Sequence, residues 1–534
     1  MFTTLRFTVS IALVGLVLVP ASAQHPLSKQ IDQLVQQQLD KAKMPASPRA
    51  EDAEFLRRVY LDITGRVPTY DQTVSFLSSK DADKRAKLID ELLSRPEYGL
   101  TFATLWRDRI VDRSPDNSQA RQQYSWDLIT WLADGFNKDR GWDALVREIV
   151  TAEGEAKSKP QLTFVVANRM NGFPRPADLA STTGKLFMGV QLRCAQCHDH
   201  PYVDDWKQDD FWGVAAFFAQ LRDHNVEPDG STRNPIYFDK PIPDAKKETQ
   251  YVNRLKRLGF LAPVEGAKIA IPKSSDPTKV ERVVPAKFFL GEKPELKADD
   301  PARARFAAWL TAPANPYFAR SFANRIWAHF FASWLVNPVD AMRPDSPTKH
   351  AALLDLLEKE FKTSGFQPKH LIRAICNSET YQRTSRPLKE NAQDRDLFSR
   401  MQLRLLNPDQ MIDALAIVAG RAPTVGKNRD QQTAPFVTAD ADADPTQFTH
   451  GVPQFLLLMN GTATSNPQNL GKLTLGKSKE DAVQAIYHTV LARPARPAEM
   501  QRSLAHLEKT TNANEGYRDI YWVLLNSAEF VLNR

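Results

Sequence analysis

Two cysteines and a histidine stand together in the run Cys194-Ala195-Gln196-Cys197-His198. Two thiols at this spacing can add to the two vinyl groups of haem, and the adjacent histidine can then bind the iron from one face. The pattern is typical of a c-type haem attachment site, with Cys194 and Cys197 as the attachment residues and His198 as the proximal ligand. Spacing leaves the sixth iron ligand open among five candidates: His200, His224, His329, Met170 and Met188.

Three other uses of these cysteines stay open. Cys194 and Cys197 can form a local disulfide, which an oxidising compartment favours. A thiol–disulfide oxidoreductase is disfavoured because the βαβ context of such a motif is missing. A zinc site would use Cys194, Cys197, His198 and His200, whereas zinc sites usually draw two ligand pairs from separate segments. The third cysteine, Cys376, lies in an apolar helical stretch and is predicted to be a buried hydrophobic residue.

A second polar cluster follows helical spacing and consists of Arg320, Asn324, Arg325 and His329. Arg320 and Asn324 fall on one face of the predicted helix, as do Arg325 and His329. Strong hydrogen-bonding side chains beside apolar ones indicate either a buried structural network or a site for an anion or a sugar. The structural network is the favoured interpretation, because buried polar groups must be satisfied in any fold.

The N-terminus predicts export. Arg6 precedes an apolar run from Val9 to Val19, and the small residues Ala21-Ser22-Ala23 follow, so cleavage is expected before Gln24. The apolar run is short for a membrane span, and no second run is long enough. We therefore expect a periplasmic or secreted protein without a transmembrane anchor after cleavage. Export is also a requirement for haem c, which is attached outside the cytoplasm.

Charge and motifs exclude some classes of function. The net charge of +7 is spread over many mixed charges and does not indicate nucleic-acid binding. No nucleophile elbow, phosphate loop or paired metal motif occurs, and no carboxylate pair stands out among the many acidic residues. Whether the chain is an enzyme stays undecided at this stage.

Hydrophobic periodicity predicts a mainly α fold, with two helical halves joined by a small β-containing or irregular insert. The run Asn407-Pro408-Asp409-Gln410 is a strong helix start. Short apolar runs at 235–238 and 268–271 have the length and composition of strands. The predicted division is a signal peptide (1–23), an N-terminal helix and linker (24–50), a first helical domain with the cysteine motif (51–226), the insert (227–300) and a second helical domain (301–534).

One sequence pattern occurs twice. Tyr60, Arg66, Leu77 and a Leu-Leu-Ser-Arg-Pro-Glu-Tyr ending recur in the same order as Tyr487, Arg493, Leu504 and Leu-Leu-Asn-Ser-Ala-Glu-Phe. A third copy of the ending stands at 375–381. The pattern predicts a repeated helical unit near both ends of the chain, with a structural role.

The longest motifs resemble a known pair of domains. Residues 55–68 (FLRRVYLDITGRVP) and 189–206 (GVQLRCAQCHDHPYVDDW) resemble the first of two paired domains of unknown function of planctomycete-type secreted proteins. Residues 308–343, with the run NRIWAHFF, resemble the second. Many such proteins carry a cytochrome c domain ahead of the pair; this chain is expected to lack it, which would leave Cys194, Cys197 and His198 as its haem site.

Two functions follow from these residues and from the resemblance. The first is an exported protein with one covalently bound haem c and an electron-transfer or redox role, serving a redox partner that the sequence does not identify. The alternative is a non-enzymatic binding or scaffold protein of the envelope, with Cys194 and Cys197 as a disulfide. The resemblance implies this alternative, because such proteins are associated with envelope polysaccharide processing.

Overall fold

The structure, a computed structural model, describes residues 25–112, 118–200, 203–225, 234–273, 275–343, 346–437, 452–461 and 467–534. The predicted signal peptide lies outside these residues. The fold is mainly α, as predicted. The first twelve helices are α1 (Pro26–Ala42), α2 (Asp52–Thr64), α3 (Tyr70–Ser78), α4 (Lys84–Ser94), α5 (Pro96–Ile110), α6 (Ser118–Gln123), α7 (Ser125–Asn137), α8 (Trp142–Thr151), α9 (Thr163–Ala167), α10 (Pro176–Thr183), α11 (Gln208–Ala216) and α12 (Ala245–Arg257).

The remaining helices follow residue 300. They are α13 (Ala302–Leu310), α14 (Phe318–Phe331), α15 (Ala351–Thr363), α16 (Pro368–Cys376), α17 (Glu379–Gln382), α18 (Pro408–Val418), α19 (Arg429–Thr433), α20 (Val452–Asn460), α21 (Leu470–Thr474), α22 (Lys479–Leu491), α23 (Pro497–Lys509), α24 (Ala513–Leu525) and α25 (Ala528–Val531). Within the described residues, no helix is long and apolar enough to cross a bilayer.

The strands are short and antiparallel. They are β1 (Gly154–Glu155), β2 (Arg169–Met170), β3 (Phe173–Pro174), β4 (Arg222–Asp223), β5 (Ile236–Phe238), β6 (Lys268–Lys273), β7 (Asp276–Pro285), β8 (Arg404–Leu405) and β9 (Leu532–Asn533). They pair as β1-β5-β4, β2-β3, β6-β7 and β8-β9. The last pair joins the chain end to residues 404–405, with Arg404 opposite Asn533.

The insert contains more than the sequence indicated. The runs at 235–238 and 268–271 form β5 and β6, as expected, and residues 283–284 lie in β7. A further apolar run of the insert, 288–290, forms no strand. Between β5 and β6 lies α12, which was not predicted. Its buried apolar residues, Tyr251 and Leu255, follow helical spacing, but they are few among many charged residues, so the sequence did not indicate this helix.

Two hydrophobic clusters hold the two halves together. The larger contains buried residues from Leu27 to Met401, so it takes side chains from both sides of the insert. The smaller is formed mainly by residues 406–531, but Leu61 and Val67 of the first half belong to it. Helix α14 lies at the centre, with every one of its residues buried. The helical halves therefore share their cores.

The repeated pattern has the same local structure in both copies. Helices α2 and α22 both end in a left-handed residue, Gly65 in the first copy and Ala492 in the second. The arginine that follows bonds a glutamate of the ending: Arg66 Nη1 lies 2.6 Å from Glu97 Oε1, and Arg493 Nε lies 2.7 Å from Glu529 Oε1. These matching contacts support a repeated structural unit.

Two smaller predictions are confirmed. The Asn407 side chain accepts a hydrogen bond from the Gln410 backbone N–H at 2.8 Å, and Gln410 bonds back to Asn407, which forms a capping box at the start of α18. Cys376 is fully buried in α16, and burial raises the pKa of its thiol well above the usual value. This cysteine is therefore a packed apolar residue with an unreactive thiol.

Candidate functional site

The segment that leads into the cysteine motif is fastened to the second half of the chain. Helix α10 continues into a π-helical turn (Gly184–Met188), which ends at the left-handed residue Gly189. A Cβ at Gly189 would lie 3.0 Å from both Ser321 Oγ and Val339 O, and its φ is +66°. Glycine meets both constraints, because it has no Cβ and tolerates positive φ.

Backbone hydrogen bonds complete this attachment. Met342 N donates to Gly189 O at 2.8 Å, and Gln191 N donates to Asp340 O at 2.7 Å. Val190 forms an antiparallel bridge with Ala341 between these two bonds. The backbone just before the motif is thus held by three consecutive residues of the other half.

The motif itself begins as one turn of 3-10 helix, Leu192–Gln196. Leu192 and Ala195 point inward and are buried, whereas Cys194 is exposed on the outer side. Cys197 and His198 continue the exposed side past the end of the turn. The alternation follows from a helical turn lying on a packed core: two apolar residues anchor it, and the three chemically active side chains face outward.

The C-terminal end of the motif is hydrogen-bonded to α11. Gln196 O accepts hydrogen bonds from Gln208 Nε2 at 3.1 Å and from Trp212 Nε1 at 3.0 Å. Asp199 Oδ1 accepts a further bond from Gln208 N at 2.9 Å. Both ends of the motif are therefore fixed, although its outer side is exposed. Sequence analysis did not identify Gln208 or Trp212 as a partner of the turn.

The imidazole of His198 has one ring nitrogen engaged. Its Nδ1 lies 2.6 Å from the backbone oxygen of Asp199, so this nitrogen carries the proton and donates the bond. Histidines that bind a metal commonly donate their second ring N–H to a carbonyl, which orients the ring and makes the other nitrogen the ligand. His198 has this arrangement, with Nε2 as the nitrogen left for a ligand.

His200, Trp206 and Phe289 form an aromatic cluster beside the motif. The His200 ring meets Trp206 edge-on at 4.9 Å between centroids, and Trp206 in turn meets Phe289 at 5.5 Å. Burial, together with the neighbouring His198, lowers the pKa of His200. His200 therefore packs locally at the edge of this aromatic cluster.

The two thiols of the motif are unpaired in the structure, so the local disulfide is not formed in it. Among the described residues, no group of three or more His, Cys, Asp and Glu side chains is arranged to hold a metal ion. The zinc arrangement of Cys194, Cys197, His198 and His200 is therefore not formed. A haem c site does not need several side chains directed at one metal ion, because the thiols bond to the porphyrin edge and a single histidine reaches the iron.

The five candidates for the sixth iron ligand each have different local partners. Met188 is fully buried, and Met170 lies beside Arg175 on the surface. His224 bonds Lys240 O at 2.9 Å, and His329 bonds Asp62 O at 2.8 Å. With His200 against Trp206, each candidate has a local role, and none is singled out as an axial ligand.

The second polar cluster lies inside the molecule. Arg320 pairs with Asp355 and with Glu358, the latter at 2.8 Å. Asn324 accepts from Leu335 N and Val336 N, and its amide donates to Val336 O at 2.9 Å. All of these bonds are internal to the second half: those of Arg320 join α14 to α15, and those of Asn324 hold the turn that follows α14.

The other two members of the cluster reach the first half. Arg325 donates to Lys185 O at 2.6 Å, within the π-helical turn that precedes the cysteine motif. His329 Nε2 donates to Asp62 O, and burial, followed by the charge of Arg404, lowers the pKa of His329 to about 3. Arg325 and His329 thus fasten α14 to the first half. These contacts favour the structural interpretation of the cluster.

Comparison with known proteins identifies two regions. Residues 30–223 match a family model described as PSCyt2, a protein of unknown function (DUF1549). Residues 302–449 match a model described as PSD1, a protein of unknown function (DUF1553). No curated protein and no solved structure matches the chain. The matches agree with the paired domains that the sequence motifs resemble.

Proposed function

We propose a function for this chain from its membership of the family that pairs the DUF1549 and DUF1553 domains. It is an exported protein with one covalently bound haem c and an electron-transfer role. Cys194 and Cys197 hold the haem, and His198 is the proximal ligand. When bound, haem supplies one-electron transfer. The protein acts in the periplasm or outside the cell, where haem c is attached.

One observation carries this proposal: two unpaired thiols and an oriented imidazole are exposed on one anchored turn. Cys194, Cys197 and His198 are accessible together, and His198 Nδ1 is bonded to Asp199 O. Attachment requires both thiols to be reached by a large planar group, and an exposed turn permits this. The bond at Nδ1 directs Nε2 toward a ligand.

The surroundings of the motif suit a role in electron transfer. The turn is fixed at both ends, through Gln191 and through Gln196, so bound haem would keep one position relative to the protein. A group attached to an exposed turn is also accessible to a second protein, and electron transfer between proteins depends on such access.

The test is production of the full chain, with its leader, in a bacterial host that carries the haem-attachment machinery. We expect a Soret band and an intact mass equal to the polypeptide plus one haem. Cys194→Ser combined with Cys197→Ser should abolish both signals. Cys376→Ala is the matched control, because Cys376 is buried far along the chain, and this variant should retain the haem.

Two results would contradict the proposal. One is a wild-type mass equal to the bare polypeptide, without a Soret band, when a reference cytochrome c is matured in the same host. The other is a mass two hydrogens below the bare polypeptide, with both motif thiols resistant to alkylation until reduced. That second result would indicate the local disulfide and support the alternative of a non-enzymatic envelope scaffold associated with polysaccharide.

The scaffold alternative has its own test. Glycan binding that survives Cys194→Ser and weakens in Asn324→Ala would place a sugar site at α14. In the structure Asn324 is fully buried and holds the turn after α14, so the variant needs a check of folding by circular dichroism. Unchanged glycan binding in a folded Asn324→Ala protein would count against that site.

A further inference from the structure

Helix α12 of the insert has an unusual concentration of positive charge. Its thirteen residues include five basic side chains and one acidic side chain. The whole chain has a net charge of +7, so this single helix accounts for more than half of the surplus. Such an uneven distribution creates a local positive potential that an evenly charged surface would not have.

Two acidic residues at the start of α12 are already engaged with other partners. Glu248 bonds Arg222 at 3.2 Å and also accepts from Ile242 N at 2.9 Å. Asp244 caps the helix by accepting from Lys247 N at 2.9 Å. Four basic side chains of the helix are exposed and form no ion pair with the described residues: Lys246, Lys247, Lys256 and Arg257.

The opposite face of α12 fixes its orientation. Tyr251 and Leu255 are buried and pack with Phe173 and Ile242 in a small cluster separate from the main cores. The Tyr251 and Phe173 rings meet edge-on at 4.9 Å. Because this apolar face is bound to the protein, the basic residues are presented to the outside.

Apolar side chains are exposed at the C-terminal end of the same helix. Leu258, just after α12, is 38% exposed, and Met170 in the neighbouring β2-β3 hairpin is 47% exposed. The Arg175 guanidinium connects these regions, because it lies 3.1 Å from the Met170 sulfur and 4.8 Å from the centre of the Phe260 ring. Positive charge and exposed apolar groups thus occur on one surface.

We propose that this surface, defined as Lys246, Lys247, Lys256, Arg257, Leu258 and Met170, docks the protein on a bilayer of anionic phospholipid. Basic side chains beside a few apolar ones match an interface in which negative headgroups cover a hydrocarbon layer. An acidic polymer in water would be bound through the charges but would give the two apolar side chains no comparable environment. The docking is peripheral and reversible.

The test uses the full chain, cleaved of its leader, with vesicles of phosphatidylcholine alone or with added phosphatidylglycerol. Sedimentation should show binding to the anionic vesicles, weak binding to the neutral ones and release at high salt. Lys246→Gln combined with Lys256→Gln should weaken binding to the anionic vesicles about 30-fold. Each basic residue near an anionic surface contributes a similar share of the binding free energy, so the two substitutions should contribute equally to this loss. Binding of the wild-type chain equal on both vesicle types would overturn the proposal.

A matched control separates this surface from general charge. Lys29 and Lys41 are exposed near the two ends of α1, just as Lys246 and Lys256 are near the ends of α12. Lys29→Gln combined with Lys41→Gln removes the same charge and should leave binding nearly unchanged. Equal weakening by both double variants would show that net charge alone attracts the protein, and the proposed surface would be wrong.

Two further measurements complete the test. Met170→Ser combined with Leu258→Ser should weaken vesicle binding but leave any retention on an acidic polysaccharide column unchanged; no effect on vesicles would overturn the membrane assignment in favour of an acidic polymer. The Cys194→Ser, Cys197→Ser protein should bind vesicles as the wild type does. Docking and haem attachment can therefore fail independently.

Discussion

The carboxylate of Asp62 is fully buried where the first half, the second half and the chain end meet. It accepts hydrogen bonds from Tyr381 Oη at 2.8 Å and from Asn533 Nδ2 at 2.6 Å, and it pairs with Arg404. Arg404 also donates to His329 O, and His329 donates to Asp62 O. A single acidic residue thus organises partners from four separate segments, which sequence analysis did not single out.

We expect Asp62→Ala to lower the free energy of unfolding by about 3–5 kcal/mol, because it leaves the guanidinium of Arg404 and two further donors without their buried acceptor. Urea unfolding followed by circular dichroism measures this change. Asp134→Ala is the control: its partner Lys138 is exposed, and the expected loss is below about 1 kcal/mol. Similar losses in both variants would contradict a special role for Asp62.

His329 gives the fold a defined pH dependence. Its pKa of about 3 in the folded protein lies below the usual value near 6.5. Between these two values the unfolded chain takes up a proton that the folded protein does not, so stability falls as the pH is lowered through this window. The contribution of neutral His329 to the free energy of unfolding is fully present above the pKa of the histidine in the unfolded chain. Below that pKa it decreases by about 1.4 kcal/mol per pH unit.

His329→Gln keeps an N–H donor toward Asp62 O and removes the titration. Between pH 6 and 4 we expect the free energy of unfolding of this variant to fall less steeply with decreasing pH than that of the wild type. The two slopes should differ by about 1.4 kcal/mol per pH unit. Urea titrations at pH 7, 6, 5 and 4 measure the slopes. A wild-type slope in His329→Gln would show that this buried histidine does not set the dependence.

At the scale of elements, the two copies of the repeated unit differ in the left-handed residue that ends their first helix. Helix α2 ends at Gly65 with φ +67°, and helix α22 ends at Ala492 with φ +56°. Only glycine adopts this backbone without a steric cost, so the second copy carries strain that the first avoids. The arginine–glutamate bond after each helix is present in both copies nonetheless.

We expect Ala492→Gly to raise the free energy of unfolding by about 1 kcal/mol, because it relieves the left-handed strain at the end of α22. The reciprocal change, Gly65→Ala, should destabilise the protein by at least as much, since the added Cβ would lie 2.9 Å from Thr101 Oγ1. Urea unfolding of both variants tests the pair. A destabilising Ala492→Gly would mean that helix continuity matters more than the left-handed conformation there.

At the scale of the whole molecule, the two halves complete each other. The larger core draws side chains from Leu27 to Met401, and α14 is buried along its entire length. The segment before the cysteine motif depends on the second half for its backbone bonds, through Asp340 and Met342. The candidate site is therefore built by contacts across the insert, although its cysteines and histidine all lie within five residues.

Separate production of residues 24–300 and 301–534 tests this dependence. We expect neither fragment to unfold cooperatively alone, because each exposes part of the shared core, and we expect mixing to restore a cooperative transition. Near-ultraviolet circular dichroism and urea titration are the measurements. The control is a full chain cut at a protease site placed between Asp300 and Pro301, which should stay folded. A cooperative transition in isolated 301–534 would contradict a shared core.

Local sequence signals predicted much of the fold. Hydrophobic periodicity and the Asn407 capping box indicated the mainly α architecture, since helix formation depends on neighbours three and four residues apart. The paired-domain resemblance was confirmed by the two family matches. Helix α12 was missed because few of its residues are apolar, and the Asp62 network was missed because its members lie hundreds of residues apart.

By itself, the sequence determined the chemistry available at the cysteine motif, two thiols and a histidine, because these groups are adjacent in the chain. Only the tertiary structure decided how they are presented. It exposes Cys194, Cys197 and His198, engages His198 Nδ1, and fixes the turn through Gln196 and Gln191. It also buries the Arg320–His329 cluster, of which Arg325 bonds the segment that precedes the motif. Exposure and orientation depend on partners distant in sequence, which no local pattern specifies.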